Sequence, residues 1–298
     1  MNEFFNNPAL KDDPTVFAIP VFIAFIAIEA IIDIRRNLKL YEFKDSAACI
    51  SMGLGVVVIG ILTKSFAFWL FMQVYEYRIF TLQNVWWMWV LLLFADDLSF
   101  YWHHRLSHSV RILWAAHIQH HSSTHMNFSV ALRQSWGEPF YKYIFYLWMP
   151  LVGFHPVWML IMQAFSLIYQ FFQHTELVKK LGPLEWIFNT PSHHRVHHAT
   201  QVKYLDRNHA GILIIWDRLF GTFEEEDEHD HPVYGITSNI DSYNPLYIAT
   251  HEYRNIWHDV KRANRFSDKL KYIFYPPGWS HDGPNQTSKY LQSKLKTQ

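Results

Sequence analysis

Nineteen histidines occur in 298 residues, and twelve of them crowd into positions 103, 104, 108, 117, 120, 121, 125, 174, 193, 194, 197 and 198. Imidazole is the commonest metal ligand in proteins, so the question is which of these rings can converge. Residues three or four apart share a helix face. His104 with His108, His117 with His120 and His121, and His194 with His197 and His198 therefore form three convergent sets. Each HxxHH puts two rings on one face and a third beside them, able to reach a neighbouring ion. Three such sets supply more nitrogen than one tetrahedral zinc takes, which predicts two metal ions. The lone cysteine, Cys49, lies in an apolar stretch, so any metal must be held by His, Asp or Glu. Imidazole suits zinc, copper, iron and nickel alike. The chain has no HExxH and no cysteine-bearing deaminase signature, so the familiar zinc hydrolase layouts are absent. A histidine-rich dinuclear centre beside an apolar segment suits iron that activates O2 against an unreactive C–H bond. Zinc binds nitrogen sites more tightly than ferrous ion and can replace it in purified protein.

Other polar residues are read as support. Asp97 stands two helical turns before His104 on the same face, placed to accept the N–H that a ligating imidazole leaves over. His103 points about 100° away from His104. His103 and His125 are therefore expected to be supporting or surface groups. His193, one turn before His197, is likewise kept outside the ligand set. Arg133 and Glu138 in "ALRQSWGEP" either pair with one another or orient a polar headgroup. His155, His229, His231, His251, His258 and His281 have no partner at metal spacing.

The elements that must carry these rings are oily. Half the residues are apolar, with 24 Phe, 16 Tyr and 13 Trp, concentrated in the first 175 positions. Four stretches approach the ~20 residues that cross a bilayer. They are Val16 to Ile32, Ala47 to Leu62 continuing past Lys64, Trp86 to His108, and Phe140 to Phe172, the last a hairpin broken at Pro150 and at His155–Pro156. The acidic terminus before the first has no cleavage-site pattern, so that stretch is expected to remain as an anchor. Arg35, Arg36, Lys39 and Lys44 follow the first span, which makes that loop cytoplasmic and places all the histidine sets on the cytoplasmic face. The expected fold is all-α: a multi-pass bundle of about four transmembrane helices capped by a cytoplasmic, histidine-rich helical catalytic domain. Its parts would be transmembrane helices over 1–84, a catalytic region over 85–225 and a C-terminal extension over 226–298 whose end, from Pro276, reads as loose. The net charge is zero and basic clusters are short, which excludes a nucleic-acid footprint. The acidic run "EEEDEHDH" at 224–231 reads as a solvated loop.

The stretches "FYWHHRLSH", "WAAHIQHHSS", "ALRQS", "HTELVKKLGPLEWIFNTPSHHRVHH" and "GILIIWDRLFGTF" resemble the fatty acid hydroxylase (sterol desaturase) superfamily of membrane di-iron oxygenases, over roughly residues 85–225. That resemblance implies iron ligation by His104, His108, His117, His120, His121, His194, His197 and His198, and adds His174 of "QHTE". Some relatives carry a histidine where this chain has Gln170, which is therefore assigned a supporting role. Asn208 fits an ether-lipid branch of the family, while His209 stands where that branch would have tyrosine. The branch also implies tetrahydrobiopterin as a possible cofactor.

The resulting expectation is a membrane monooxygenase that hydroxylates a C–H bond of a lipid (ether lipid, fatty acyl or sterol). It would use O2 and an external electron donor, because no GxGxxG or fused cytochrome b5 motif is present. It would sit in the plasma membrane of a bacterium or the endoplasmic reticulum of a eukaryote. Desaturation or sterol methyl oxidation at the same centre is the competing enzymatic reading. A non-catalytic metal-binding or transport protein is the competing reading from another class, and transport is disfavoured because transporters bind near the bilayer midplane.

Overall fold

A computed structural model describes residues 14–295, with side chains from 17 onward; the expectation about the acidic terminus lies outside the described residues. Among them are eleven α-helices, several single 3-10 turns and no strand, only two isolated bridges. The fold is all-α, as the sequence predicts.

Helix α1 (Pro14–Arg36) and helix α2 (Phe43–Tyr75) are each long and apolar enough to cross a bilayer. The outward residues of both are largely apolar, while Glu29 and Asp33 of α1 and Asp45 of α2 are buried. Along α2, Leu54, Val58, Leu62 and Phe66 recur every fourth residue and are all exposed, one continuous apolar stripe. Its 33 residues form one uninterrupted helix through Lys64. Glu42 starts it by accepting the Asp45 N–H at 2.6 Å.

The other two expected spans are less simple. Helix α3 (Trp86–Ser109) has the length, but its buried face carries Asp96, Asp97, Ser99, His103, His104, Ser107 and His108. In the Phe140–Phe172 stretch, 3-10 turns lead into a short α5 (Trp148–Val152), and only α6 (Pro156–Phe171) is a sustained helix. Pro150 sits inside α5 and does not break it. The break falls at Gly153, whose φ of 128° is left-handed and where a Cβ would lie 2.2 Å from the Phe80 carbonyl oxygen. Among the described residues, two clear span candidates therefore stand where four were expected.

Packing fixes the site between these helices and a polar layer. Phe22 of α1 stacks on Phe171 of α6 at 4.0 Å between centroids. Met88, Leu92, Phe71, Met149 and Met159 join α2, α3, α5 and α6 in one apolar cluster. Helix α4 (Arg111–His121) follows α3 after a single extended residue, Val110, and α7 (Pro191–His197) begins with proline at its first position. Helix α8 (Ile215–Phe220) lies along α3, and α9 (Pro245–Arg262) along α4, where Arg111 pairs with Glu252 at 2.8 Å and Asp259 at 2.7 Å. Helices α10 (Phe266–Phe274) and α11 (Ser288–Leu295) complete the chain. The stretch after Pro276, expected to be loose, is tied down: Gln292 of α11 donates to the carbonyls of Val202 and Leu205.

Candidate metal centre

The structure brings the nine histidines singled out in sequence into two adjoining groups. His104, His108, His117, His121 and His197 offer ring nitrogens that all lie within 4.8 Å of one another, and His120, His174, His194 and His198 do the same. All nine are buried. Helix geometry explains the sorting. In each HxxHH the outer pair, four residues apart, joins one group, and the middle ring crosses to the other: His117 and His121 against His120, His194 and His198 against His197. The groups touch, with the His121 and His198 rings stacked at 4.4 Å.

The outer nitrogens are spoken for. His104 Nδ1 donates to the His209 carbonyl at 2.7 Å, His120 Nδ1 to that of Arg133 at 3.2 Å, His174 Nδ1 to that of Gln170 at 2.9 Å and His197 Nδ1 to that of Arg207 at 2.9 Å. Carboxylates take two more, Glu138 from His117 at 2.5 Å and Asp206 from His108 at 3.2 Å. A neutral imidazole has one N–H, so each of these rings turns a bare Nε2 lone pair inward. Two pairs of such lone pairs then meet head-on, His104 with His117 at 2.9 Å and His120 with His174 at 3.2 Å. No proton is available to bridge either contact. Nε2 of His108 and of His197 is buried without any hydrogen-bond partner. A cation at each group satisfies every one of these atoms, and the all-imidazole donor set suits iron. Burial, followed by the neighbouring rings, holds His120, His121, His194 and His198 well below the usual histidine range. Burial alone brings His174 down to about 4. These five rings are therefore in the neutral form that binds metal.

Among the supporting residues, Asp97 departs from its sequence reading. Asp97 touches no histidine. It accepts the backbone N–H groups of Ile212 (2.7 Å) and Leu213 (2.8 Å) and the Trp216 indole (3.0 Å), anchoring the loop whose carbonyls receive His104 and His197. Gly211 permits that approach, since a Cβ there would stand 2.8 Å from Asp97 Oδ1. Gln170 serves His174 through its main-chain oxygen, while its amide donates to Ser166. His193 faces away from both groups, toward Glu185 and the Phe223 ring. Asn208, at a left-handed φ of 54°, bolts the same loop to His193 O and to Glu224. Arg133 and Glu138 do not pair with one another: Arg133 is buried against Asp45 at 3.1 Å, and Glu138 serves His117. His103 is buried beside Tyr141 and Phe145, and His125 is half-buried 4.0 Å from Asp45.

Sequence reading missed Asp206, its partner Ser288 and the roles of Arg207 O and His209 O. A carbonyl carries no sequence signal. His209 itself lies against His108, with centroids 4.9 Å apart.

A cavity of about 440 Å³ opens onto both groups. His104, His117, His120, His174 and His194 form its floor, and Phe22, Ile50, Leu54, Phe100, Leu167 and Phe171 stand among its apolar walls. Those walls belong to α1, α2, α3 and α6, so the cavity runs from the histidines into the oily part of the molecule.

Residues 89–222 match the fatty acid hydroxylase family model. The chain is 39% identical to human alkylglycerol monooxygenase over 274 residues, 90% of this chain and 60% of that protein. It is 44% identical to alkylglycerol monooxygenase of Xenopus tropicalis over 198 residues, 66% of this chain and 44% of that one. It is 30% identical to an ornithine lipid hydroxylase of Rhizobium tropici over 157 residues, 51% and 46% of the two chains. The chain thus spans no more than about 60% of these relatives' lengths. No solved structure matches it.

Proposed function

We propose that the protein, whose residues 89–222 match the fatty acid hydroxylase family model, is a membrane monooxygenase that inserts one oxygen atom of O2 into a C–H bond of a lipid, the other leaving as water with two electrons and two protons from an external donor. The observation that carries this reading is the pair of inward lone-pair contacts, one in each histidine group, at the end of an apolar cavity.

Two iron ions held by His104, His108, His117, His121 and His197 on one side, and by His120, His174, His194 and His198 on the other, would supply the reduction of O2 and the removal of hydrogen. The protein's own contribution is position and environment. Phe22, Leu54, Leu167 and Phe171 hold a hydrocarbon chain out of water and present it to the histidines. Glu138 fixes the His117 tautomer and raises its basicity, as Asp206 does for His108. The carbonyls of residues 207 and 209 lock two further rings, with Asp97 and Asn208 immobilising their loop.

The lipid panel to offer begins with alkylglycerols and ornithine lipids, the classes in the relatives' names. Tetrahydrobiopterin is the first donor to supply with them. In topology, α3 and the α5–α6 arm would complete four passes with the histidines at the cytoplasmic end. The basic α1–α2 loop supports that orientation, because Asn127, a few residues past His121, donates to Leu40 O at 2.7 Å.

Metal analysis tests the centre. Wild-type protein loaded anaerobically should bind two irons per chain, and His120→Ala and His197→Ala should each lose iron together with turnover. An alanine variant that keeps both ions and full activity would refute its role.

A further inference from the structure

We propose that the surface made by residues 181–187, α8 and the outer face of α3 is a wedge inserted into the lipid bilayer. This holds the histidine-bearing part against the membrane by more than its spanning helices, and it does not depend on the chemistry at the centre.

Helix α8 runs beside α3 on the side away from the cavity. Trp216 donates to Asp97 at 3.0 Å and packs edge-on against Phe94 at 6.2 Å, and one turn later Phe220 stacks on Tyr101 at 5.3 Å. Phe94 precedes His104 by ten residues, which is about 15 Å along the helix. Helix α8 therefore reaches well below the metal ligands, toward the level of the apolar helices. The turn at Gly182–Trp186 travels with it: Ile214 N–H donates to Ile187 O at 2.9 Å, and Arg218 donates to Glu185 O at 3.2 Å.

What this unit shows outward is apolar. Trp186 is 71% exposed, Leu219 68%, Leu184 56% and Ile187 52%, next to exposed Phe94 and Trp102 of α3. Its acids are turned inward. Glu185 is buried and accepts from Leu181 N–H, Thr190 and Ser192, while Asp217 is buried and accepts from His209 N–H, Ala210 N–H and Thr222. The exposed Arg218 lies over the Phe223 ring at 3.7 Å, its charge led back toward the protein. A water-facing surface would not assemble so many large apolar groups while withdrawing its carboxylates. Indole and leucine side chains at the edge of a spanning helix are what the interfacial layer of a bilayer accommodates. Continuity with the exposed Phe94 and Trp102 of α3 makes lipid the occupant rather than a second copy, which rests on the topology proposed above, in which α3 is a third pass.

A fluorescent probe at the wedge decides it. Cys49 is buried, so a cysteine introduced as Leu184→Cys or as Leu219→Cys can be labelled selectively with an environment-sensitive nitrobenzoxadiazole dye. The exposed acidic loop supplies the control, Glu228→Cys. In phosphatidylcholine vesicles doped with doxyl-labelled lipid, both wedge probes should emit to the blue of the control. Doxyl lipid should quench them at least about twice as strongly as the control, with iodide having little effect. Water-like emission and iodide quenching at both wedge positions, equal to the control, would overturn the proposal. So would blue emission that ignores doxyl lipid and vanishes on dilution, because a second copy of the chain would then be the cover. Neither result bears on iron content or turnover.

Discussion

At the scale of the residue, the centre is defined by where each imidazole keeps its proton. Six of the nine rings give Nδ1–H to an outside acceptor, which forces the remaining lone pair toward a cation. Glu138 is the sharpest case. Burial opposes its charge, and the hydrogen bond it accepts from His117 at 2.5 Å offsets that cost. Glu138→Gln keeps the shape and removes the charge, so metal affinity should fall by roughly 10–100-fold, read by competition with a chromogenic chelator. An unchanged affinity would mean that the carboxylate only fills space. The histidine groupings were legible because i, i+3 and i, i+4 spacing dictates shared faces. The acceptors were legible only in part. Asp97 was read as reaching a histidine from its helix phase, yet three donors of the 212–216 segment claim it, and four of the six actual acceptors are main-chain carbonyls.

At the scale of the element, α11 has a role that its sequence does not announce. Its first residue, Ser288, hydrogen-bonds Asp206 on the carboxylate oxygen opposite the one that serves His108, and Gln292 grips the preceding carbonyls. Asp206 sits at a left-handed φ of 54°, a conformation that aspartate tolerates better than most residues, and Ser288 and Gln292 hold the segment that carries it. The double variant Ser288→Ala/Gln292→Ala should therefore loosen the ion held by the five-histidine group and spare the other, giving one tight and one weak site by calorimetric titration. Two unaltered sites would remove α11 from the account. Helix existence was readable from apolar runs, and the buried polar face of α3 from its aspartates and histidines. The breaks were less so. Of the two expected breaks, His155–Pro156 is where α6 begins, but Pro150 lies inside α5, where proline is tolerated in the first turn, and Gly153 makes the bend. The order of the C-terminal stretch rests on contacts with residues more than eighty positions away, which local pattern does not encode.

At the scale of the whole molecule, histidines of α3, α4, the turn after α6 and α7 meet at one centre, so bound metal would tie the fold together. Removing iron by anaerobic chelation should lower the unfolding temperature, since a ligand at 100 times its dissociation constant contributes about 2.7 kcal/mol per site. An identical melting temperature with and without metal would show that the site is built without its ions. Metal-free protein should also be acid-sensitive. Burial depresses the folded-state pKa of His174 and of His193 to about 4, against 6.5 for the ordinary residue. The unfolded chain therefore binds more protons between these values, and stability should fall as pH drops from about 6.5 to about 4 and then level as far as these two groups are concerned. A melting temperature flat across that window would contradict the buried, neutral state of these rings.

The most direct test of the central claim is isotope transfer. Detergent-purified, iron-loaded protein would be given 18O2, a reductant and a panel of alkylglycerols, ornithine lipids, fatty acids and sterols, and the products would be weighed by mass spectrometry. The account predicts one lipid class that gains a single 18O atom, or releases an aldehyde from an ether lipid, only when both irons are present. Two irons bound per chain, with O2 consumed and no lipid oxygenated, would contradict it.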